Sequence, residues 1–134
     1  MKKVIFDTDI GIDDAMALLF LHHAPDVDLI AITTGFGNAS VSDTTRNALY
    51  MKELFNMSAA VYAGAAMPVG SALGEGYADF VHGKNGLGDI PLTTPMCEAE
   101  ATPAAEAIVE LVRANPHQLS IVAVGRMTNL AMAL

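Results

Sequence analysis

Residues 7–14, Asp7-Thr8-Asp9-Ile10-Gly11-Ile12-Asp13-Asp14, put four carboxylates between the apolar run Val4-Ile5-Phe6 and the apolar run from Met16 to Leu21. A short β-branched and aromatic run reads as a buried strand. Gly11 permits a tight turn, and Asp13-Asp14 then open a helix, where acidic side chains face the positive end of the dipole. Unperturbed aspartates titrate near pH ~3.9, so all four carry charge at neutral pH unless their neighbours oppose it. Like charges sharing a site repel and raise one another's pKa. The nearest lysines, Lys2 and Lys3, stand at the opposite end of the strand. A bound cation is the simplest compensation, and an all-oxygen donor set favours a hard ion, Ca²⁺ or Mg²⁺. Successive helical residues point about 100° apart, so Asp13 and Asp14 face different ligands: one a metal, the other a substrate.

Two other acidic motifs compete for this stretch. An EF-hand loop requires an oxygen ligand where Gly11 stands and a glutamate where Leu18 stands, and it fails on both. A Mg²⁺-dependent phosphohydrolase of the haloacid dehalogenase type would use Asp7 as nucleophile and Asp9 as acid/base. That alternative stands, although it gives Asp13 and Asp14 no task.

Strand and helix signals alternate along the chain. Val4 to Phe6 is a strand, Asp13 to His23 a helix and Val27 to Thr33 a strand. A helix from about Ser42 to Phe55 follows, with Arg46, Asn47 and Lys52 outward and Ala48, Met51, Leu54 and Phe55 inward. The first helix is apolar on most sides, which predicts deep burial. Ala59 to Ala63 is a third strand. Another helix starts at Thr102-Pro103, turns Ala104, Ala107, Ile108, Leu111 and Val112 inward, and stops at Asn115-Pro116. Leu119 to Val124 returns as a strand, and a last helix begins at Asn129. The fold class is α/β: an open, mainly parallel sheet with helices on both faces.

Ligands of such a sheet bind beyond the carboxyl ends of its strands. Asp7 and Asp9 follow strand one. Gly35-Phe36-Gly37-Asn38 follows strand two, and Gly125-Arg126-Met127-Thr128-Asn129 follows the strand ending at Val124. All three should meet at one edge. Between them runs a glycine-rich stretch from Gly64 to Pro95, including His82-Gly83-Lys84-Asn85-Gly86-Leu87-Gly88; a loop this long in a small domain is usually functional. His22 and His23 end the first helix, where a cation suits the dipole.

A chain of 134 residues has room for about one domain. A formal net charge of -8 argues against nucleic-acid backbones and anionic membranes, which select basic patches. Cys97 is the only cysteine, so there is no intrachain disulfide and no cysteine-based zinc site. No apolar run is long enough to span a bilayer, and Asp7 and Asp9 interrupt any secretion signal, so the cytoplasm is the expected location.

Asp7-Thr8-Asp9-x-Gly11-x-Asp13-Asp14-Ala15 resembles the N-terminal signature of the inosine-uridine preferring nucleoside hydrolases, with Ile10 where that family usually has proline; its loss is expected to loosen the loop. Thr33-Thr34-Gly35-x-Gly37-Asn38 resembles the family's segment ending in Gly-Asn. Gly125-Arg126-Met127-Thr128-Asn129 resembles its Gly-Pro-Leu-Thr-Asn segment, with Arg126 in place of proline. The His82 stretch resembles the family's flap over the nucleobase. The resemblance implies a Rossmann-like nucleoside hydrolase fold, residues 1–134 being the N-terminal portion of a single domain that is truncated after Leu134. It implies hydrolysis of ribonucleosides to ribose and free base, a step of purine or pyrimidine catabolism and salvage. It also implies Ca²⁺ held by Asp9, Asp14 and the Thr128 carbonyl, with Asp9 as general base, Asp13 and Asn38 on the ribose, His82 near the leaving base and Asp7 buttressing the loop. Further ligands would come from a C-terminal half. The truncated sheet would expose an edge and associate, as a homo-oligomer, dimer or tetramer. A non-catalytic fragment with a vestigial metal site remains the other alternative.

Overall fold

The computed structural model describes residues 1–72 and 76–134; residues 73–75, within the glycine-rich stretch, lie outside the described residues. Strands β1 (Lys2–Thr8), β2 (Val27–Thr34), β3 (Ala60–Ala63) and β4 (Leu119–Ala123) form one sheet in the order β3-β2-β1-β4, parallel at every pairing. Because β1 has a strand on each side and helices on each face, its residues Val4, Ile5 and Phe6 are all buried. That is why it reads as a continuous apolar run instead of an alternating one. Val4 and Phe6 point to one face, with Leu18 of α1 (Ile12–His23) and Ala48 and Met51 of α2 (Val41–Leu54) in the same cluster. Ile5 points to the other, where Ala31, Ile108 of α4 (Ala104–Ala114) and Leu130 of α5 (Thr128–Ala133) gather. The sheet is thus covered on both faces.

Elements fall where propensity and capping place them. Ser40 caps α2 by accepting the Asp43 N–H at 3.1 Å, and its hydroxyl donates back to the Asp43 carboxylate at 2.8 Å. Pro103 is the N-cap of α4 instead of its first helical residue, a one-residue shift of boundary. A four-residue helix, α3 (Asp79–His82), stands inside the stretch expected to be loop. Its apolar pattern is too short to carry a helical period.

Four sequence expectations about burial are corrected. α1 is not buried all round: Phe20 is 74% exposed and Met16 66%, because the sheet covers only one side of this helix and α2 another. Leu54, expected inward, is 57% exposed at the end of α2, and Val112 of α4 is also exposed. Asn47, expected outward, is fully buried and donates to the carbonyls of Ile10 and Asn85. Two loops cross α2 there, and their carbonyls need a donor once water is excluded.

The order β3-β2-β1-β4 means that β2 and β3 are added on one side of β1 and β4 on the other. The order of strand addition therefore switches sides between β1 and β4, and beyond the carboxyl ends of strands at such a point is where open parallel sheets take their ligands. The registers Thr8↔Thr34, Thr34↔Ala63 and Asp7↔Ala123 bring all four strand ends to one edge. No described helix is long and apolar enough to cross a membrane.

The two sides of α1 give opposite expectations. Leu18→Ala should cost about 2–5 kcal/mol by opening a cavity in the core, whereas Phe20→Ala should stay within about 0.5 kcal/mol. Urea unfolding midpoints of the two variants check this; equal losses would show that the outer side of α1 is covered.

Candidate functional site

β1 ends by turning its last residues into the crevice, and the acidic side chains that follow divide by environment. Asp7, Asp9 and Asp14 are buried, at 2%, 7% and 5% exposure, while the Asp13 side chain is 85% exposed. The helical step between Asp13 and Asp14 produces this divergence: Asp14 turns under the loop and Asp13 turns out toward His82.

Neutral donors surround the buried acids. Asp7 Oδ2 accepts from the Thr33 hydroxyl at 2.6 Å and from Asn129 Nδ2 at 3.0 Å. Asp14 accepts from the Thr8 hydroxyl, the Gly11 N–H and Asn38 Nδ2, each at 2.9 Å. The Gly11 bond is the returning half of a capping box, so Asp14 both starts α1 and faces the crevice. Asp9 Oδ2 accepts the Asn38 backbone N–H at 2.8 Å. Asn38 therefore bridges Asp9 and Asp14, the closest thing in the chain to a clasp between the first and second loops.

Burial raises the Asp7 carboxyl above its ordinary value, against the lowering pull of Thr33 and Asn129. Burial also raises Asp9, and the charge of Asp14 adds to it; the Asn38 and Asp9 N–H groups and the Arg126 charge work the other way. Among the described residues no lysine or arginine forms an ion pair with Asp7, Asp9 or Asp14. Two mutually repelling carboxylates with no cation in contact make a donor set of hard oxygens, and it fits a hard divalent ion. Among the described residues no group of three His, Cys, Asp or Glu side chains gathers to hold one. The described residues thus place two buried carboxylates, Asp9 and Asp14, at this edge, joined through Asn38.

Two glycines make the close approach possible. A side chain at Gly37 would overlap the Asp9 carboxylate, and one at Gly11 would meet Asn38 Nδ2 at 2.5 Å and His82 Nδ1 at 2.6 Å. Ile10, where a proline was the expected stiffener, is fully buried in the core shared with Phe6 and Leu18, and its carbonyl accepts from Asn47. Side-chain packing anchors the loop there in place of a pyrrolidine ring.

His82 ends α3 over the start of α1. Its Nδ1 accepts the Ile12 N–H at 3.1 Å and lies 3.9 Å from Asp13. With Nδ1 accepting, the proton of the neutral ring sits on Nε2. The segment that follows is tied down by Asn85, whose carbonyl accepts from Arg46 and Asn47 and whose side chain accepts from the Leu87 and Asp89 N–H groups. His22 and His23 sit in the last turn of α1, on the strand-opening side of the sheet and apart from the acids.

Asn129 was not singled out by sequence. It is 2% exposed, donates to Asp7 and to the Thr34 carbonyl at 2.9 Å, and accepts the Ala65 N–H at 2.9 Å. One side chain thereby joins the carboxyl ends of β1 and β2 and the loop after β3, directly beside Thr128. The available signal was an amide in the first turn of a helix that begins where three polar loops were expected to meet.

Comparison with known proteins gives a consistent picture. The family model for inosine-uridine preferring nucleoside hydrolase matches residues 4–134. Uridine nucleosidase 1 of Arabidopsis thaliana is 42% identical over 134 residues, which is 99% of this chain and 40% of that protein. A purine-preferring ribonucleoside hydrolase from Gardnerella vaginalis superposes with a TM-score of 0.95 at 34% identity, over 99% of this chain and 43% of its own. A plant nucleoside hydrolase superposes with a TM-score of 0.94 at 41% identity, over 98% and 42%. The chain spans about two fifths of the length of these relatives.

Removing the Asn129 amide strands the Thr34 carbonyl and the Ala65 N–H in a dry site. Asn129→Ala should therefore cost about 2–4 kcal/mol, several hydrogen bonds and their unmet partners together. Thermal unfolding checks it, and a loss below that of an exposed substitution would mean that water replaces the amide.

Proposed function

The chain belongs to the inosine-uridine preferring nucleoside hydrolase family by the match over residues 4–134, and from that membership we propose that its acidic edge serves the hydrolysis of the N-glycosidic bond of ribonucleosides. The observation that carries this reading is the buried Asp9 and Asp14 pair, bridged by Asn38 at the point where the strand order of a parallel sheet switches sides. Cleaving such a bond builds positive charge on the sugar, and preorganised carboxylates in a water-poor crevice stabilise it.

In this proposal Asp9, Asp14 and the Thr128 carbonyl would hold Ca²⁺, with further ligands from beyond these residues. Such an ion supplies charge neutralisation and makes a water easier to deprotonate. Asp9 takes the proton of the attacking water at its carboxylate. Asp13, exposed at the mouth, and Asn38, on the floor, bond the ribose hydroxyls, which fixes the anomeric carbon over Asp9. His82, its Nε2 carrying the ring proton, donates toward the departing base. Asp7 accepts from Thr33 and Asn129 and supports the loop from behind; with one oxygen spent on both donors and 2% exposure, it is poorly placed to attack a phosphate ester. We further propose that copies of the protein associate as a dimer or tetramer and that it acts in the cytoplasm.

The decisive test puts these residues in a full-length frame: a chimera in which residues 1–134 replace the matching region of Arabidopsis uridine nucleosidase 1, assayed for base release from uridine and inosine with Ca²⁺. Asp9→Asn in the chimera should lower kcat by at least about 10²-fold, the lower end for losing a general base, with the fold unchanged by circular dichroism. Unchanged turnover in that variant would end the proposal.

A further inference from the structure

One peptide link of this chain is more open to covalent change than any other. The sequence holds six asparagines, and Asn85 alone precedes a glycine; the others precede Ala39, Ala48, Met57, Pro116 and Leu130. A backbone nitrogen can attack the carboxamide carbon of the asparagine before it, and a side chain on the attacking residue obstructs that approach. Glycine has no Cβ to obstruct it, whereas proline has no N–H to lose. The Gly86 nitrogen is therefore the least hindered nucleophile of the set.

In the folded chain both reacting groups are engaged elsewhere. The Gly86 N–H donates to the Gly83 carbonyl at 3.2 Å. Asn85 Oδ1 accepts the Leu87 and Asp89 N–H groups at 2.8 and 3.0 Å, and its Nδ2 donates to the Ile90 carbonyl at 3.0 Å. The carboxamide cannot turn toward the Gly86 nitrogen without giving up these bonds. Gly86 is itself wedged in place: it is buried at φ +82°, and a Cβ there would stand 3.0 Å from Asn47 Nδ2 and 3.2 Å from the Ile10 carbonyl oxygen. Beneath the loop, Asn47 at 2.8 Å and Arg46 at 3.2 Å hold the Asn85 carbonyl, and the Leu87 side chain is buried in the core. Ring closure needs Asn85 and Gly86 to rotate, so the loop must leave α2 first.

We propose that Asn85 is a masked deamidation site, protected while its loop is closed over α2 and exposed each time the loop opens. In the open loop the Gly86 nitrogen bonds to Cγ of Asn85 and gives up its proton, the amide nitrogen departs as ammonia, and a succinimide ring remains. Water then cleaves one of two bonds of that ring. Cleavage between the Gly86 nitrogen and Cγ yields aspartate; cleavage between that nitrogen and the former main-chain carbonyl carbon yields isoaspartate. The net change is one water consumed and one ammonia released, with no oxidation or reduction. Either product lacks the donor to the Ile90 carbonyl. In isoaspartate the carbonyl held by Asn47 and Arg46 becomes a free carboxylate, and the main chain gains a methylene before Gly86, so the loop cannot close again in register. His82 rides on the same loop, and the change reaches its seat on the Ile12 N–H.

The test incubates the 134-residue chain in mildly alkaline buffer, folded and in guanidinium chloride, with peptide mapping that separates asparagine, aspartate and isoaspartate. The unfolded chain should be modified at Asn85 before any other asparagine. The folded chain should react there at least about 10-fold more slowly, since only its open fraction reacts. Asn47→Ala, which removes the shorter of the two bonds to the Asn85 carbonyl, should speed the folded reaction about 5- to 30-fold. Arg46→Met, at the partly exposed partner, should speed it about 2- to 5-fold, and decides the matter if Asn47→Ala does not fold by circular dichroism. Equal rates in the folded and unfolded parent would overturn the mask, as would folded variants that lose the amide at the parental rate. Earlier modification of a different asparagine in the unfolded chain would overturn the site itself.

Discussion

Burying Asp7, Asp9 and Asp14 within a few residues of one another is the constraint to which the rest of this structure answers. A carboxylate taken out of water costs several kcal/mol unless its oxygens are met, and here neutral donors and the start of a helix meet them. Those donors come from three of the four strand ends at the carboxyl edge: Thr8 and Gly11 at and after the end of β1, Thr33 and Asn38 at and after the end of β2, and Asn129 at the start of α5, which follows β4. The acids consequently fix the loops, as much as the loops place the acids. Hydroxyls and amides satisfy the carboxylate oxygens but bring no opposing charge.

The sheet makes this economy possible because β1 is central. A strand with neighbours on both sides and helices on both faces carries its polar residues only at its ends, and the carboxyl end of β1 is where β2 and β4 both run out. Had β4 been added beyond β3, Asp7 and Asn129 would stand on opposite sides of the molecule. The crevice follows from strand order, and its acidity from the eight residues placed at it.

The order and type of most elements were legible because each is announced by short-range physics: apolar runs of strand length, a serine cap at Ser40, the Asn115-Pro116 stop. The same holds for the gathering of Asp9, Asn38 and Thr128 segments, which needs only the rule that parallel strands end together. Sidedness was harder to read. α1 is apolar almost all round, so its sequence has no period to reveal that Met16 and Phe20 face outward; only the placement of α2 and the sheet decides it. Asn47 and Asn129 failed to stand out for a related reason. An asparagine on a helix reads as surface, and its burial makes sense only once the carbonyls of Ile10, Asn85 and Thr34 have been brought to it from elsewhere in the chain.

Asn47 also ties the acidic loop to the segment carrying His82. Asn47 donates to the carbonyl of Ile10, inside the acidic loop, and to that of Asn85, three residues past His82. Moving Asn85 off α2 would leave the buried amide half-satisfied and would remove His82 from the Ile12 N–H, where it covers an otherwise open helix start. Each bond is modest alone, but they break together, since a single backbone segment carries both carbonyl and ring. The position of the His82 ring over Ile12 and beside Asp13 is thus tied, through Asn85 and Asn47, to the same helix that holds the Ile10 carbonyl of the acidic loop.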